Sequence, residues 1–223
     1  PIVYNENLGS AQVKSCIIFA ALNTPGNSII KAKRSRNHTE LMLNFLKYPI
    51  KVSENNNFDK ISIQGLKQFK GFNYDVPGDI SSASFFIVLT LLSKKSSLII
   101  KNVNINPSRI GIITILNKMG ANIKLKKKKL YNGEDIADIY VKSNSNLNAV
   151  NCPAKLNSSA IDEFLIIFLA AAKAKGISRF KDLSEMNKKE SRRLDLGIKF
   201  LKLIGIKVDR FKDNINIHGK PNL

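Results

Sequence analysis

Lys189-Glu190-Ser191-Arg192-Arg193 places an acid among cations, ahead of an apolar periodic run that reads as a long amphipathic helix. If that helix starts at this run, Lys189 and Arg193 lie four apart and share a face, with Glu190 nearby. A helix N-terminus already favours anions through its free N–H groups and its dipole. Two cations there make a site for a phosphate or carboxylate, and Glu190 adds a proton-transfer group beside it. Read in isolation, such a stretch is more often a solvated charge run on a surface helix. Two further stretches carry groups of the same kinds: Ser10-Ala11-Gln12-Val13-Lys14-Ser15 and Asp162-Glu163. Asp162 by itself also reads as a helix N-cap.

Such groups need a scaffold, and the sequence reads as three copies of one. Ser10-Ala11-Gln12 opens an apolar helical run to Leu22, followed by the turn Pro25-Gly26-Asn27 and a short strand, Ser28 to Lys31. A polar loop holding Ser35-Arg36 leads to a second helix, His38 to Phe45. Strands at Ile50 to Val52 and Ile61 to Ile63 close the copy. The pattern restarts at Ser81-Ser82-Ala83 with a helix to Leu92, a strand from Leu98 to Val103, and Ser108-Arg109. A helix to Met119-Gly120 and strands near Ile123 and Ile139 follow. It restarts again at Ser158-Ser159-Ala160, with a helix through Ala172 and a strand near Ile177 to Phe180. A helix from Glu190 to Leu203 and strands at Ile206 to Val208 and Ile215 to Ile217 complete it. Each copy is roughly 75 residues, too long for a solenoid repeat and right for a small α/β unit. The first helix of each copy is apolar on nearly every face and is expected to be buried. Pro77-Gly78 breaks regular structure, Asp79 or Ser81 is placed to cap the next helix, and a domain boundary is set here.

At 223 residues, 43% of them hydrophobic and 24% charged, the chain has the composition of a globular protein with a real core. The most apolar run, Phe164 to Ala172, has the length of a buried helix rather than a bilayer span. Cys16 and Cys152 lie far apart without metal-type neighbours, as in a reducing, cytoplasmic compartment. The net charge of +19 points first to nucleic acid. The basic residues are nevertheless spread along the chain, lysine far exceeds arginine, and no aromatic residues interleave with them as stacking platforms. The run Lys124 to Lys129 reads as a solvated turn between strands. The charge is therefore assigned to codon bias plus an anionic substrate, with no nucleic-acid or membrane partner.

Taken in order, several stretches resemble the EPSP synthase family of the bacterial type. They are Ser10-Ala11-Gln12-Val13-Lys14-Ser15, Ser35-Arg36-Asn37-His38-Thr39-Glu40, Val76-Pro77-Gly78-Asp79-Ile80-Ser81-Ser82-Ala83 and Asn106-Pro107-Ser108-Arg109. Met119-Gly120-Ala121, Ile161-Asp162-Glu163 and Lys189-Glu190-Ser191-Arg192-Arg193-Leu194 continue the series. Each is weak alone; their order and spacing are specific. The resemblance covers essentially the whole chain. It implies an α/β fold of repeated βαβαββ units forming two domains. Residues 1–78 would be the last unit of one domain, and 79–223 two units of the other, about 79–150 and 151–223. It further implies a central fragment of a chain about twice as long, without the terminal cations that also hold phosphoenolpyruvate, and so inactive alone. The family reaction moves the enolpyruvyl group of phosphoenolpyruvate to the 5-hydroxyl of shikimate 3-phosphate and releases phosphate, with no metal or organic cofactor, in a monomer.

By position, the resemblance gives Ser10 and the Ala11 backbone to the shikimate phosphate, with Gln12 between the two substrates. Ser35 and Arg36 also go to that phosphate. Asp162 would orient the 5-hydroxyl and accept its proton, and Glu190 would move the proton at the methylene carbon. Lys189 would meet the shikimate ring or its reacting oxygen, and Arg193 the phosphoenolpyruvate anion. Three departures stand out. Met186-Asn187-Lys188 precede Lys189, Arg192 replaces an aspartate of the family pattern, and Asn37 replaces another, so local ion pairing must differ. Two rivals are an enolpyruvyl transferase acting on UDP-N-acetylglucosamine, whose reactive loop cysteine has no counterpart here, and a basic RNA-binding or RNA-end-processing protein of related units.

Overall fold

The computed structural model describes residues 1–55, 58–144, 146–188 and 191–222. They form two compact units: Pro1–Val76 with Leu130–Asp135, and Pro77–Lys129 with Ile136–Leu223.

In the first unit, β1 (Val3–Glu6) runs into α1 (Ala11–Leu22), β2 (Asn27–Lys33), α2 (His38–Phe45), β3 (Ile50–Asn55) and β4 (Phe58–Gln64). The sheet order is β1-β2-β4-β3, with β1 parallel to β2 and the other pairs antiparallel. Alternation fixes the register. Ser28, Ile30 and Ala32 of β2 and Ile61 and Ile63 of β4 point inward, with Ile30 opposite Ile61. Ile18 and Ala21 of α1 and Leu43 of α2 cover that face.

The second unit holds the two remaining copies. α3 (Ile80–Leu92), β5 (Ser97–Asn104), α4 (Gly111–Lys118), β6 (Asn122–Tyr131) and β7 (Glu134–Lys142) make one, its hairpin tip counting with the first unit. The other comprises α5 (Asn157–Ala160), α6 (Phe164–Ala172), β8 (Ile177–Phe180), α7 (Arg193–Leu203), β9 (Val208–Phe211) and β10 (Asn214–His218). The sheet orders β5-β7-β6 and β8-β10-β9 repeat the β2-β4-β3 order of the first unit. Parallel bridges from Gly78 to Val103 and from Asn151 to Arg179 stand where β1 pairs with β2. The α/β class and the threefold repetition expected from sequence are both present. One core joins the two copies, with Phe164, Phe168 and Phe180 at its centre, their ring centroids 5.1–6.0 Å apart.

Four local expectations need correction. Lys124–Lys129 lies within β6, not in a turn; the chain reverses at Asn132-Gly133, both at positive φ (48° and 86°), a two-residue hairpin signal. As an edge strand, β6 carries lysines that oppose pairing with another edge. The helix expected through Ala172 is interrupted at residues 161–163. α7 begins at Arg193 and not at Glu190, because Arg192 has non-helical dihedrals (φ −74°, ψ 71°); the face ascribed to Lys189 and Arg193 includes a residue outside the described ones. Finally, α6 is buried nearly all round against α3, α4, α7 and β10, but α1 and α3 are not. Phe19 on α1 and Phe85, Phe86 and Leu89 on α3 are more than half exposed. No described helix is long and apolar enough to cross a membrane.

Candidate active site

In the first unit, the loop between β1 and α1 is built around Glu6, which is 2% exposed. Its carboxylate accepts the N–H groups of Leu8 and Gly9 at 2.9 Å and of Ser10 at 3.2 Å. Gly9 sits at φ +77°, which lets the loop wrap the carboxylate. Ser10 follows as the N-cap of α1, its Oγ accepting Val13 N–H at 3.3 Å. An accepting Ser10 oxygen keeps its own proton to donate. Ala11 and Gln12 occupy the first two helical positions, whose N–H groups have no partner within a helix. The end of α1 thus presents a hydroxyl donor and backbone donors in one direction, suited to a phosphate. Ser35 and Arg36 lie in the loop between β2 and α2 of the same unit. Ser35 Oγ is buried with no hydrogen-bond partner among the described residues. An unmet buried hydroxyl costs about 1–3 kcal/mol, which a phosphate oxygen would recover.

In the second unit, Asp162 occupies the turn between α5 and α6. It does not cap α6: the cap position is Glu163, and no side-chain cap bond forms there. Instead Asp162 Oδ1 accepts from Arg193 Nη1 at 2.9 Å, with both side chains about a quarter exposed. An acid and a cation assigned from distant segments therefore meet directly. Lys189 and Glu190 lie outside the described residues.

The departures around Arg193 are absorbed locally. Asn187 Oδ1 accepts Leu194 N–H at 3.0 Å, supplying the cap that Arg192 does not, while its amide donates to Asp195 Oδ1 at 3.0 Å. Arg192 pairs with Asp195 at 2.7 Å and Arg210 binds the same carboxylate at 2.7 Å. Hydrogen bonds from Asn187 and Arg210, aided by both arginine charges, outweigh partial desolvation and hold the Asp195 carboxyl below its usual range. The start of α7 is thus fixed by residues that differ from the family pattern.

Neither thiol is bridged. Cys152 is buried, and burial, only partly offset by the Lys118 charge, pushes its thiol up to about 11. Cys16 is exposed on α1. Thiol labelling of the folded protein at about pH 8 is expected to modify Cys16 and spare Cys152, because the thiolate is the reacting form. Equal labelling rates at the two cysteines, read by peptide mass, would contradict this. Among the described residues no three His, Cys, Asp or Glu side chains converge as metal ligands.

Sequence reasoning missed Glu6. The available signal was a carboxylate four residues ahead of an N-cap, across Asn7-Leu8-Gly9, where turn N–H groups need an acceptor.

Comparison with known proteins adds a second line. The family described as EPSP synthase (3-phosphoshikimate 1-carboxyvinyltransferase) matches residues 1–223. A 3-phosphoshikimate 1-carboxyvinyltransferase of Petrotoga mobilis is 41% identical over 100% of this chain and 51% of its own length. One from Ruthia magnifica is 42% identical over 98% of this chain and 49% of its own. The solved EPSP synthase of Acinetobacter baumannii superposes with a TM-score of 0.87 at 37% identity, covering 98% of this chain and 48% of that one. An enolpyruvyl transferase of Streptomyces tendae, at 14% identity and a TM-score of 0.66, shares the fold over 99% of this chain and 51% of its own. The chain spans about half the length of the curated relatives it matches.

Proposed function

This chain belongs to the EPSP synthase family, and we propose that the intact protein transfers the enolpyruvyl group of phosphoenolpyruvate to the 5-hydroxyl of shikimate 3-phosphate, releasing phosphate. The match along the full chain to relatives of that name carries the reading. The paired Asp162 and Arg193 support it. Asp162 takes the proton of the 5-hydroxyl as the oxygen attacks the central carbon of phosphoenolpyruvate. Glu190 delivers a proton to the methylene carbon, giving a tetrahedral intermediate. Reversal of that transfer, with phosphate departing, regenerates the vinyl group. Ser10, the Ala11 N–H, Ser35 and Arg36 hold the shikimate phosphate, Gln12 spans the two substrates, Lys189 meets the shikimate ring or its reacting oxygen, and Arg193 holds the phosphoenolpyruvate carboxylate or phosphate. Positioning and charge stabilisation by such donors supply most of the acceleration. The protein is read as a cytoplasmic monomer of the shikimate pathway, and residues 1–223 by themselves as inactive.

Phosphate release by the intact protein, measured with both substrates present, tests this. Turnover dependent on shikimate 3-phosphate is expected. Turnover only with UDP-N-acetylglucosamine would replace the reading by the first rival. Salt-dependent RNA binding without response to shikimate 3-phosphate would replace it by the second. The buried, unreactive setting of Cys152 and the helical setting of Cys16 favour neither as a loop nucleophile for the first rival.

A further inference from the structure

Three sequence motifs have no substrate role in the reading above: the Asp79-Ile80-Ser81-Ser82 stretch, Asn106-Pro107-Ser108-Arg109, and Glu163 beside Asp162. In the second unit they converge on one buried point. Glu163 is 2% exposed and its Oε1 accepts the hydroxyl proton of Ser81, at the start of α3. Ser81 Oγ in turn accepts from Arg109 Nη2. The same Nη2 donates to Asp79 Oδ1 at 3.2 Å and lies 3.7 Å from Glu163 Oε1. A serine hydroxyl has one proton, and a donor arriving from Arg109 leaves it only the direction of Glu163. The chain of bonds is therefore polarised from Arg109 through Ser81 to Glu163.

We propose that Glu163, Ser81 and Arg109 are positioning residues that fix the turn carrying Asp162. This rests on the reading of Asp162 as the proton acceptor. Backbone geometry supports it independently. Glu163 N–H donates to Ala160 O at 3.0 Å, and Ile167 N–H to Glu163 O at 3.0 Å, so Glu163 is the joint between α5 and α6. On the other side, Gly111 of α4 meets the segment just before the turn. A Cβ there would fall 2.8 Å from the Ser159 carbonyl carbon and 2.9 Å from Ala160 Cβ. Residues 160–163 are thus gripped on one side by close helix packing and on the other by a buried carboxylate that cannot swing out without losing its partners. Asp162, next in sequence, is the residue left pointing outward, toward Arg193. A misplacement of about 1 Å in such a group is enough to cost about 10²-fold in rate.

The test compares Ser81→Ala, Glu163→Gln, Glu163→Ala and Asp162→Asn in the intact protein by steady-state kinetics with both substrates. Ser81→Ala and Glu163→Gln are each expected to lower kcat by about 10–100-fold while KM for both substrates stays within about twofold. Glu163→Gln should lose less than Glu163→Ala, because its amide oxygen still accepts from Ser81. If kcat holds within about twofold in Ser81→Ala and Glu163→Gln while Asp162→Asn is inactive, the positioning role is wrong and the reading of Asp162 stands. If Asp162→Asn turns over normally, the reading of Asp162 fails and the positioning role falls with it. A raised KM with unchanged kcat makes these residues ground-state binders, which also overturns the proposal. Should the Glu163 variants not fold, Ser81→Ala, which removes one oxygen, decides alone.

Discussion

Asp162→Ala in the intact protein is expected to lower turnover by about 10²–10⁴-fold, the range for a general acid–base group. It is expected to leave stability almost unchanged. Both expectations follow from where the side chain sits. A capping aspartate would cost about 1 kcal/mol on replacement by alanine. Asp162, however, caps nothing: α6 opens at Glu163 without a side-chain cap bond. Its ion pair with Arg193, at 2.9 Å, joins side chains that are 25% and 27% exposed, and pairs this accessible are worth about 0–1 kcal/mol after solvent screening. A large loss of kcat with a denaturation midpoint close to wild type therefore separates chemistry from architecture. Asp162→Asn keeps the shape and removes the basicity, so it should be as inactive as the alanine variant. Turnover within a few-fold of wild type in either variant removes Asp162 from the mechanism. Glu190→Ala, by the same reasoning about its assigned role, falls in the same range.

The contrast between Asp162 and Glu163 also shows what a sequence discloses and what it withholds. Ser10 before an apolar run, Pro25-Gly26 after it and the period of the second helices each act over a few residues, so α1 and α2 were readable to within a residue. The break at residues 161–163 contains neither glycine nor proline. There Glu163 accepts from Ser81, 82 positions away, and the segment just before packs against Gly111, contacts that no local window contains. The β6 lysines misled for a related reason: charge usually marks a turn, but an edge strand tolerates and even requires it. The Asn132-Gly133 signal is local, and the sequence reading missed it. As for the site, the local pattern gave anion-binding chemistry at Ser10–Gln12 and near Arg193. The assignment of each residue to a particular substrate atom came only through resemblance. The pairing of Asp162 with Arg193 came only from the fold.

Lys14 is the deepest departure from the sequence reading, and it carries the largest expected effect on stability. α1 reads as apolar on nearly every face, but one of its two fully buried residues is a lysine, 0% exposed like Ile18, with Nζ 2.7 Å from Oε1 of Glu40, itself 3% exposed. Removing one partner strands a charge in the interior, so Lys14→Met is expected to destabilise the protein by about 3–5 kcal/mol. Lys14→Met combined with Glu40→Leu should recover most of that loss. The pair is close but poorly satisfied: among the described residues Glu40 Oε2 has no hydrogen-bond partner, and Lys14 Nζ makes no well-directed hydrogen bond despite its short contact. Desolvation of both ions is therefore only partly offset, and an apolar replacement of similar volume gives up little. Urea denaturation of the wild type, both single variants and the double variant yields the coupling directly. A double variant no more stable than Lys14→Met alone would show that the pair is worth its burial. The consequence reaches the site because α1 and α2 are tied here twice, by Lys14 with Glu40 and by the Ser15 and Thr39 hydroxyls 2.7 Å apart. Ser10, Ala11 and Gln12 open one of these helices, and Ser35 and Arg36 lead into the other. The single variant should thus also raise KM for shikimate 3-phosphate, and the double variant, with the helices drawn together again, should bring it back.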